Sequence, residues 1–338
     1  MDVVDPPAVA AGDGDRVCRE TLDRDLRVRT RSLRGGWSPW REVHPLHEDG
    51  PDPGSREARG ADAQGSDLVW VGESDGFQVR TPGGRPRDLE VVLIDPGTRP
   101  ADHAGMRDTG RTTGMMRTTE EPEAAASVTA RRAARGSVPR PRIRFRKGWG
   151  ADEALRDGQP TYNTTMKQGH VHHTAGSNDY RRADVPAIIR GIYAYHTRSL
   201  GWSDIGYNFV VDRFGEIWVG RAGGPRRNVR GAHTRGFNHQ SFGVAALGSF
   251  DDKGPSSALV RGIARLSAWK LDRAGRRPAG TVWTTSHGSD KYPSGRRLQL
   301  PVLDGHRDTG ATACPGELLY DRLGVIRARA QTRVDTFS

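Results

Sequence analysis

The segment Gly305-His306-Arg307-Asp308-Thr309-Gly310-Ala311-Thr312-Ala313-Cys314-Pro315 is the most informative stretch of this 338-residue sequence. His306 and Cys314 stand eight positions apart across Gly, Ala and Thr residues, so a loop can turn both side chains toward one point. A thiolate and an imidazole are borderline-soft ligands that suit Zn²⁺. The segment therefore predicts two protein ligands of one zinc ion.

A third ligand is expected from Gly169-His170-Val171-His172-His173-Thr174, which is typical of a strand that ends in a loop. On a strand, His170 and His172 share one face and His173 points to the other. Spacing alone leaves the third ligand open between His170 and His172, with His173 available if the loop has already begun. Three protein ligands leave a fourth position free, as in catalytic zinc sites, where the pKa of bound water is lowered toward about 7.

Strand and helix patterns alternate around these segments from residue 141 onward. Asp184 is a candidate N-cap for a helix that should end near Gly201. Apolar patterns also predict a hairpin and a buried strand, at 209–219 and 242–248, and two further helices, around 259–269 and 318–326. This alternation predicts one α/β domain over 141–331, with a central mixed β-sheet flanked by helices.

The first hundred residues have a different pattern. Short alternating runs at 26–31, 77–80 and 89–94 are separated by Gly and Pro turns, which predicts a small all-β module over 16–96. Residues 97–140 are rich in Gly, Thr, Ala, Pro and charge and cannot bury enough surface to fold, so they are predicted to form a disordered linker. The stretch 131–147 carries eight basic residues and no acidic one. We expect a solvated tether, and such a stretch would bind polyanions in general, nucleic acid and anionic wall polymers alike.

Composition excludes several classes of protein. The formal net charge is +11, but 47 of the 52 basic residues are Arg, which indicates a coding bias as much as a polyanion partner. Basic and aromatic residues do not form a stacking or groove-reading pattern, so no specific nucleic-acid partner is expected. No apolar run approaches the ~18 residues of a membrane span. The two cysteines, Cys18 and Cys314, cannot form a disulfide scaffold.

Four segments together resemble the zinc-dependent N-acetylmuramoyl-L-alanine amidases of the phage-lysozyme and peptidoglycan recognition protein family. They are Val171-His-His-Thr-Ala-Gly, Gly201-Trp-Ser-Asp-Ile-Gly-Tyr-Asn-Phe, Gly231-Ala-His-Thr-Arg-Gly-Phe-Asn-His-Gln-Ser-Phe-Gly-Val and the pair His306 and Cys314-Pro315. Their order and spacing match those of the family over 141–331, somewhat more than half of the chain.

The resemblance implies a role for particular residues. His172, His306 and Cys314 match the family's three zinc ligands. Tyr207 matches a tyrosine that acts beside the metal, and Thr312 stands where phage members have Lys and many recognition proteins have Thr; both are expected to be catalytic. His233 and Asn238 fall in the segment that lines the peptide groove. We therefore expect these last two residues to contact substrate.

The function implied is hydrolysis of the amide between N-acetylmuramic acid and L-alanine in bacterial peptidoglycan. The alternative is a non-catalytic peptidoglycan-binding recognition protein, although such members typically lose the cysteine ligand. The expected cofactor is Zn²⁺, the expected partner is a muramyl peptide, and the expected state is a monomer. The resemblance also implies an extracellular or cell-wall location, and the N-terminal module is expected to be wall-associated.

Overall fold

The computed structural model of the protein describes residues 26–44, 46, 49–61, 65–81, 89–99, 102 and 137–337. The N-terminal part contains a three-stranded antiparallel sheet with the order β2-β1-β3. Its strands are β1 (Leu26–Ser32), β2 (Arg41–Val43) and β3 (Ser74–Arg80). This agrees with the predicted small all-β module.

One predicted strand of this module is wrong. Residues 89–94 form no strand, and Leu93 in the middle of the run is 73% exposed. The backbone that follows is held by a side chain: the Arg190 guanidinium donates to the carbonyl oxygens of Pro96 and Gly97. Alternating apolar residues suit a strand only where a neighbouring strand offers hydrogen bonds.

A six-stranded mixed sheet forms the centre of the C-terminal part, with the order β11-β5-β8-β6-β7-β4. All neighbouring pairs are parallel except β6 and β7, which form the predicted hairpin. A separate hairpin pairs β9 with β10. The strands are β4 (Ile143–Arg144), β5 (Gln168–His173), β6 (Phe209–Val211), β7 (Ile217–Val219), β8 (Ser241–Ala246), β9 (Thr281–Thr285), β10 (Arg297–Pro301) and β11 (Leu303–Gly305).

Helices cover both faces of this sheet, so the predicted α/β domain with a central mixed sheet is confirmed. The helices are α1 (Val185–Ala194), α2 (Ser257–Arg273), α3 (Glu317–Tyr320) and α4 (Leu323–Phe337). Side chains of α1 pack on one face, and those of α2 and α4 pack on the other. Every residue of β5 and β8 is buried, because a strand covered on both faces needs no polar side.

Two helix predictions differ in detail. Asp184 precedes α1 as predicted, but its carboxylate accepts the backbone N–H of Arg181 (2.7 Å) and does not cap α1. A π-helical turn, Tyr195–Ser199, then extends α1 toward Gly201. The predicted third helix is divided into α3 and α4. Among the described residues, no helix combines the length and apolar composition that a membrane span requires.

The N-terminal module packs directly on the α/β domain. Leu46, Ala61, Leu68 and Ile94 pack against a cluster that includes Tyr195.

Arg190 of α1 also forms a buried ion pair with Asp102 (2.7 Å), which lies within the range predicted as linker. Residues 103–136 of that range lie outside the described residues. The basic stretch ends inside the fold, since Arg146 is buried and pairs with Asp204 (3.0 Å).

Candidate metal centre

The strand ends of β5 and β11 bring the two predicted histidine ligands together. The two strands are parallel neighbours in which Gly305 pairs with Val171. The residue that follows each member of this pair along the chain is a histidine, His306 or His172. The rings of His172 and His306 lie 4.5 Å apart between centroids. Parallel pairing of β5 and β11 therefore places two motifs that are distant in the sequence next to each other at one edge of the sheet.

Cys314 completes this group from the loop that follows β11. Its Sγ lies 3.8 Å from Nδ1 of His172, and the ligand atoms of His172, His306 and Cys314 all lie within 4.8 Å of one another. The backbone N–H of Arg307 donates to the Cys314 carbonyl (2.9 Å), which closes the loop. All three side chains are buried. Two imidazoles and one thiol at this spacing form a donor set that suits Zn²⁺.

The two other histidines of β5 face different partners. His170 Nδ1 lies 2.5 Å from Oδ1 of Asp304, in a wholly buried pair. The ring of His173 lies on the other side of the strand, with Nδ1 3.9 Å from Asp251. Among the three histidines of β5, only His172 lies in one donor cluster with His306 and Cys314.

His233 lies behind His172 and is wholly buried. Its Nδ1 is 3.0 Å from Nε2 of His172, which leaves Nδ1 of His172 facing Cys314. The ring fits closely between two glycines: a Cβ added at Gly231 or Gly243 would lie 2.3 or 2.4 Å from a His233 ring atom. In this structure His172 lies against one side of His233, and contact between His233 and substrate stays a prediction.

Asn238, the second residue expected to contact substrate, is also wholly buried. Its side-chain Oδ1 accepts the backbone N–H of His233 (2.8 Å), and its Nδ2 donates to Gly50 O and Asp52 Oδ1 (2.9 Å each). Residues of the N-terminal part thus cover the side chain that was expected to contact substrate. Asn238 consequently does not reach an open groove in this structure.

Tyr207 and Thr312 line the same cavity as two of the predicted ligands, His306 and Cys314. The cavity has a volume of about 270 Å³. The ring centroid of Tyr207 is 5.4 Å from that of His172. The Thr312 Oγ1 accepts the backbone N–H of Cys314 (3.2 Å), so the hydroxyl proton of Thr312 is available to another acceptor.

Burial governs the protonation of these groups. It lowers the pKa of His172 and His233 well below the usual range, and the neighbouring imidazoles lower them further. Both rings are therefore neutral near pH 7, the form that binds metals. Burial also raises the pKa of Tyr207, which keeps its phenol protonated and able to donate. Burial and the nearby Asp49 raise the pKa of the Cys314 thiol, an effect that a bound cation would oppose.

Asp49 was not singled out in the sequence. Its Oδ1 lies 3.8 Å from Nδ1 of His172 and 3.7 Å from Nδ1 of His306. Burial and the charge of Asp67 raise the pKa of the Asp49 carboxyl to about 8. The residue belongs to an irregular loop with no motif around it, so no local pattern could have identified it.

Two family models match the chain. The model described as N-acetylmuramoyl-L-alanine amidase matches residues 162–317. The model described as Rv3811 N-terminal galactose-binding domain-like matches residues 9–107. The two matches correspond to the α/β domain and to the N-terminal β module.

Several known proteins are similar to the chain. Solved structures include Drosophila PGRP-LB (24% identity, TM-score 0.43, covering 54% of this chain and 92% of that one). The endolysin amidase LysCS of Clostridium intestinale is 21% identical (TM-score 0.41, covering 56% and 97%). The human N-acetylmuramoyl-L-alanine amidase is 32% identical over 190 residues, covering 54% of this chain and 28% of that protein.

Peptidoglycan-recognition protein SC2 of Drosophila simulans is 31% identical over 175 residues, which cover 52% of this chain and 80% of that protein. This coverage includes most of the relative. The chain belongs to the N-acetylmuramoyl-L-alanine amidase and peptidoglycan recognition protein family.

Proposed function

We propose that this protein is a zinc-dependent amidase that hydrolyses the bond between N-acetylmuramic acid and L-alanine in peptidoglycan. The observation that carries the proposal is the complete set of His172, His306 and Cys314 donor atoms within 4.8 Å of one another. This cluster borders a cavity of about 270 Å³ that Tyr207 and Thr312 also line. The name of the human relative, an amidase, agrees with it.

The residues present fit a zinc ion. A buried thiol next to two buried imidazoles gains little as an apolar packing group, whereas thiolate and imidazole together are typical zinc donors. The Oδ1 atom of Asp49, buried beside them, has no hydrogen-bond partner among the described residues, and a nearby cation would give it an electrostatic partner. When bound, zinc supplies Lewis acidity that polarises a carbonyl group and activates water.

The other residues of the site orient the ligands and donate hydrogen bonds. His233 holds the His172 ring through the 3.0 Å contact at Nε2, so that Nδ1 stays directed at the metal position. Tyr207 keeps its proton and can donate a hydrogen bond to an oxyanion that develops on the muramyl carbonyl. Thr312 can donate its hydroxyl proton toward the same oxygen or the leaving nitrogen. Neither group is cationic, so both act as hydrogen-bond donors.

We also propose that the domain division is 16–96 for the β module, 97–140 for the linker and 141–331 for the amidase domain. An amidase acting on peptidoglycan works outside the cytoplasm, in the extracellular space or the cell wall. The β module is proposed to be wall-associated, and the basic residues of the linker to contact anionic wall polymers. We propose that the protein acts as a monomer.

The test combines metal content with product release. Protein purified without added metal is analysed by mass spectrometry, and new L-alanine amino termini are measured on purified peptidoglycan. We expect about one zinc per chain, amine release by the wild type, and loss of both in Cys314→Ser. Cys18→Ser changes the only other cysteine of the sequence and serves as the matched control.

Two results would contradict the amidase. Zinc absent even after reloading would remove the metal from the mechanism. Zinc present with peptidoglycan binding but no amine release, in the wild type and in variants that open the site, would favour the recognition-only function. The second function is suggested by the name of the Drosophila relatives, which are peptidoglycan-recognition proteins.

A further inference from the structure

Asp49 lies where a fourth ligand of the metal centre would lie. Donor atoms at about 2.0–2.3 Å from one centre, in tetrahedral arrangement, are about 3.3–3.6 Å from one another. The observed separations are 3.7 Å from Asp49 Oδ1 to His306, 3.8 Å from Asp49 Oδ1 to His172, and 3.8 Å from His172 to Cys314. The carboxylate oxygen therefore has the spacing of a metal ligand to both histidines, within a few tenths of an ångström, although the donor atoms that all lie within 4.8 Å of one another are, in the described part of the chain, those of His172, His306 and Cys314 alone.

Within the described ranges, no hydrogen bond to Oδ1 explains the burial of the Asp49 side chain. The side chain is 10% exposed, and Oδ1 is buried without a hydrogen-bond partner among the described residues. Ionisation of a buried carboxyl without a partner is unfavourable unless a cation lies close to it. Oδ1 lies near both His172 and His306. The cation it would face is therefore the metal ion that these two histidines are proposed to bind.

Asp49 begins a segment that is anchored on the α/β domain, residues 49–61, which we call the strap. Asp52 Oδ1 accepts the backbone N–H groups of Gly236 (2.9 Å) and Asn238 (3.2 Å) as well as the Asn238 side-chain amide. This carboxylate and the Gly50 carbonyl together cover Asn238. The strap thus occupies the surface beside the metal centre that the family resemblance assigns to the peptide groove.

A buried ion pair holds the far end of the strap. The Glu57 carboxylate accepts hydrogen bonds from both terminal nitrogens of Arg221, at 2.5 and 3.0 Å. It also accepts one from the backbone N–H of Ser203, at 3.1 Å. The Arg221 side chain is 5% exposed and that of Glu57 is 15% exposed. Gly60 lies so close to Gly201 that a Cβ at Gly201 would be 2.1 Å from the Gly60 carbonyl oxygen. The strap is therefore a docked element with specific partners along its length.

We propose that Asp49 is a fourth protein ligand of the metal centre and that the strap holds the centre closed. A carboxylate at the fourth position excludes the water that hydrolysis requires, and the strap covers the groove, so the site opens only when the strap withdraws. The part of the proposal that concerns closure rests on the proposed amidase function. The part that concerns the fourth ligand requires only that the site binds a metal ion. A different role for Asp49, as a base that takes a proton from water, predicts opposite results in the same test.

The first experiment measures zinc affinity of the full chain by competition with a chelator. Asp49→Ala is compared with the wild type, with His172→Ala as a variant that lacks a proposed ligand, and with Asp335→Asn as a control at an exposed ion pair. We expect the zinc Kd of Asp49→Ala to rise at least about tenfold, since even groups that only support a ligand cost 10–100-fold when removed. The Co²⁺-loaded protein should also change its visible absorption. An unchanged Kd and spectrum would overturn the fourth ligand.

Amine release at saturating zinc distinguishes the two roles of Asp49. A ligand that closes the site predicts higher activity in Asp49→Ala than in the wild type. Loss of activity with unchanged zinc affinity would favour the base. A raised Kd together with activity below the wild type would retain the ligand and overturn the closed state.

The second experiment loosens the strap without changing a donor atom. Glu57→Gln leaves Arg221 without its charge partner, so we expect a chelator to remove zinc at least about tenfold faster, and amine release to increase. Asp335→Asn should show neither effect. Zinc release from Glu57→Gln at the wild-type rate would overturn the proposal that the strap holds the centre closed. Faster zinc release with no amine release in any variant would contradict the proposed amidase while leaving the strap and the fourth ligand in place.

Discussion

Replacing His233 with phenylalanine should weaken zinc binding without rebuilding the fold around it. Phenylalanine keeps a planar ring but is somewhat larger than histidine, and the ring lies in a closed space bordered by Gly231 and Gly243, so the variant is also expected to lose some stability. The backbone N–H of His233 keeps its bond to Asn238 Oδ1 in the variant. The substitution instead removes the imidazole Nδ1 atom, which lies 3.0 Å from His172 Nε2 in the wild type.

The magnitude follows from that interaction between the two imidazoles. Phenylalanine offers no acceptor, so the buried Nε2–H of His172 is left unsatisfied at a cost of about 1–3 kcal/mol. Removing a group that orients a metal-binding histidine typically lowers affinity 10–100-fold, which is about 1.4–2.7 kcal/mol of binding free energy. The two ranges agree. We therefore expect the zinc Kd to rise by about one to two orders of magnitude.

The assay is chelator competition for the Kd and urea unfolding of the metal-free protein for stability. His196→Phe is the matched control, since His196 is also buried and its Nδ1 accepts the Gly206 N–H (3.0 Å), but it is not part of the donor cluster. Both variants should lose stability, and only His233→Phe should lose zinc affinity. Equal zinc affinity in His233→Phe and the wild type would refute the orienting role.

Three further predictions concern the cavity, the core and the sheet. Tyr207→Phe should lower kcat about 10²–10³-fold with zinc affinity unchanged, measured by amine release, because it removes one hydrogen-bond donor to an oxyanion. Burial lowers the pKa of Lys270 to about 7 from 10.5, so the unfolded chain binds more protons between those values and stability should rise with pH across that window. Lys270→Met should flatten this slope by up to about 1.4 kcal/mol per pH unit in urea unfolding. Gly243→Ala should cost about 1–3 kcal/mol of stability and also weaken zinc binding, because the new Cβ would lie 2.4 Å from the His233 ring.

The architecture of the α/β domain could be predicted from periodicity because its signals are local. β5 and β8 are continuous buried runs, and the turn between β6 and β7 lies where the predicted hairpin placed it. The strand predicted at 89–94 is wrong because alternation reports only which residues can lie on a strand. It carries no information on whether a neighbouring strand is available.

The sequence by itself identified His172, His306 and Cys314, through two short motifs and their resemblance to a family, and the structure brings these three together. Only the tertiary structure decided what surrounds them. His233 lies behind His172 because β5 and β8 are neighbours with glycines at the contact, and Asn238 is covered by Gly50, 188 positions away. Asp49 approaches the cluster for the same reason. Such contacts depend on how the N-terminal part docks on the α/β domain. The hydrophobic periodicity within either segment does not specify that docking.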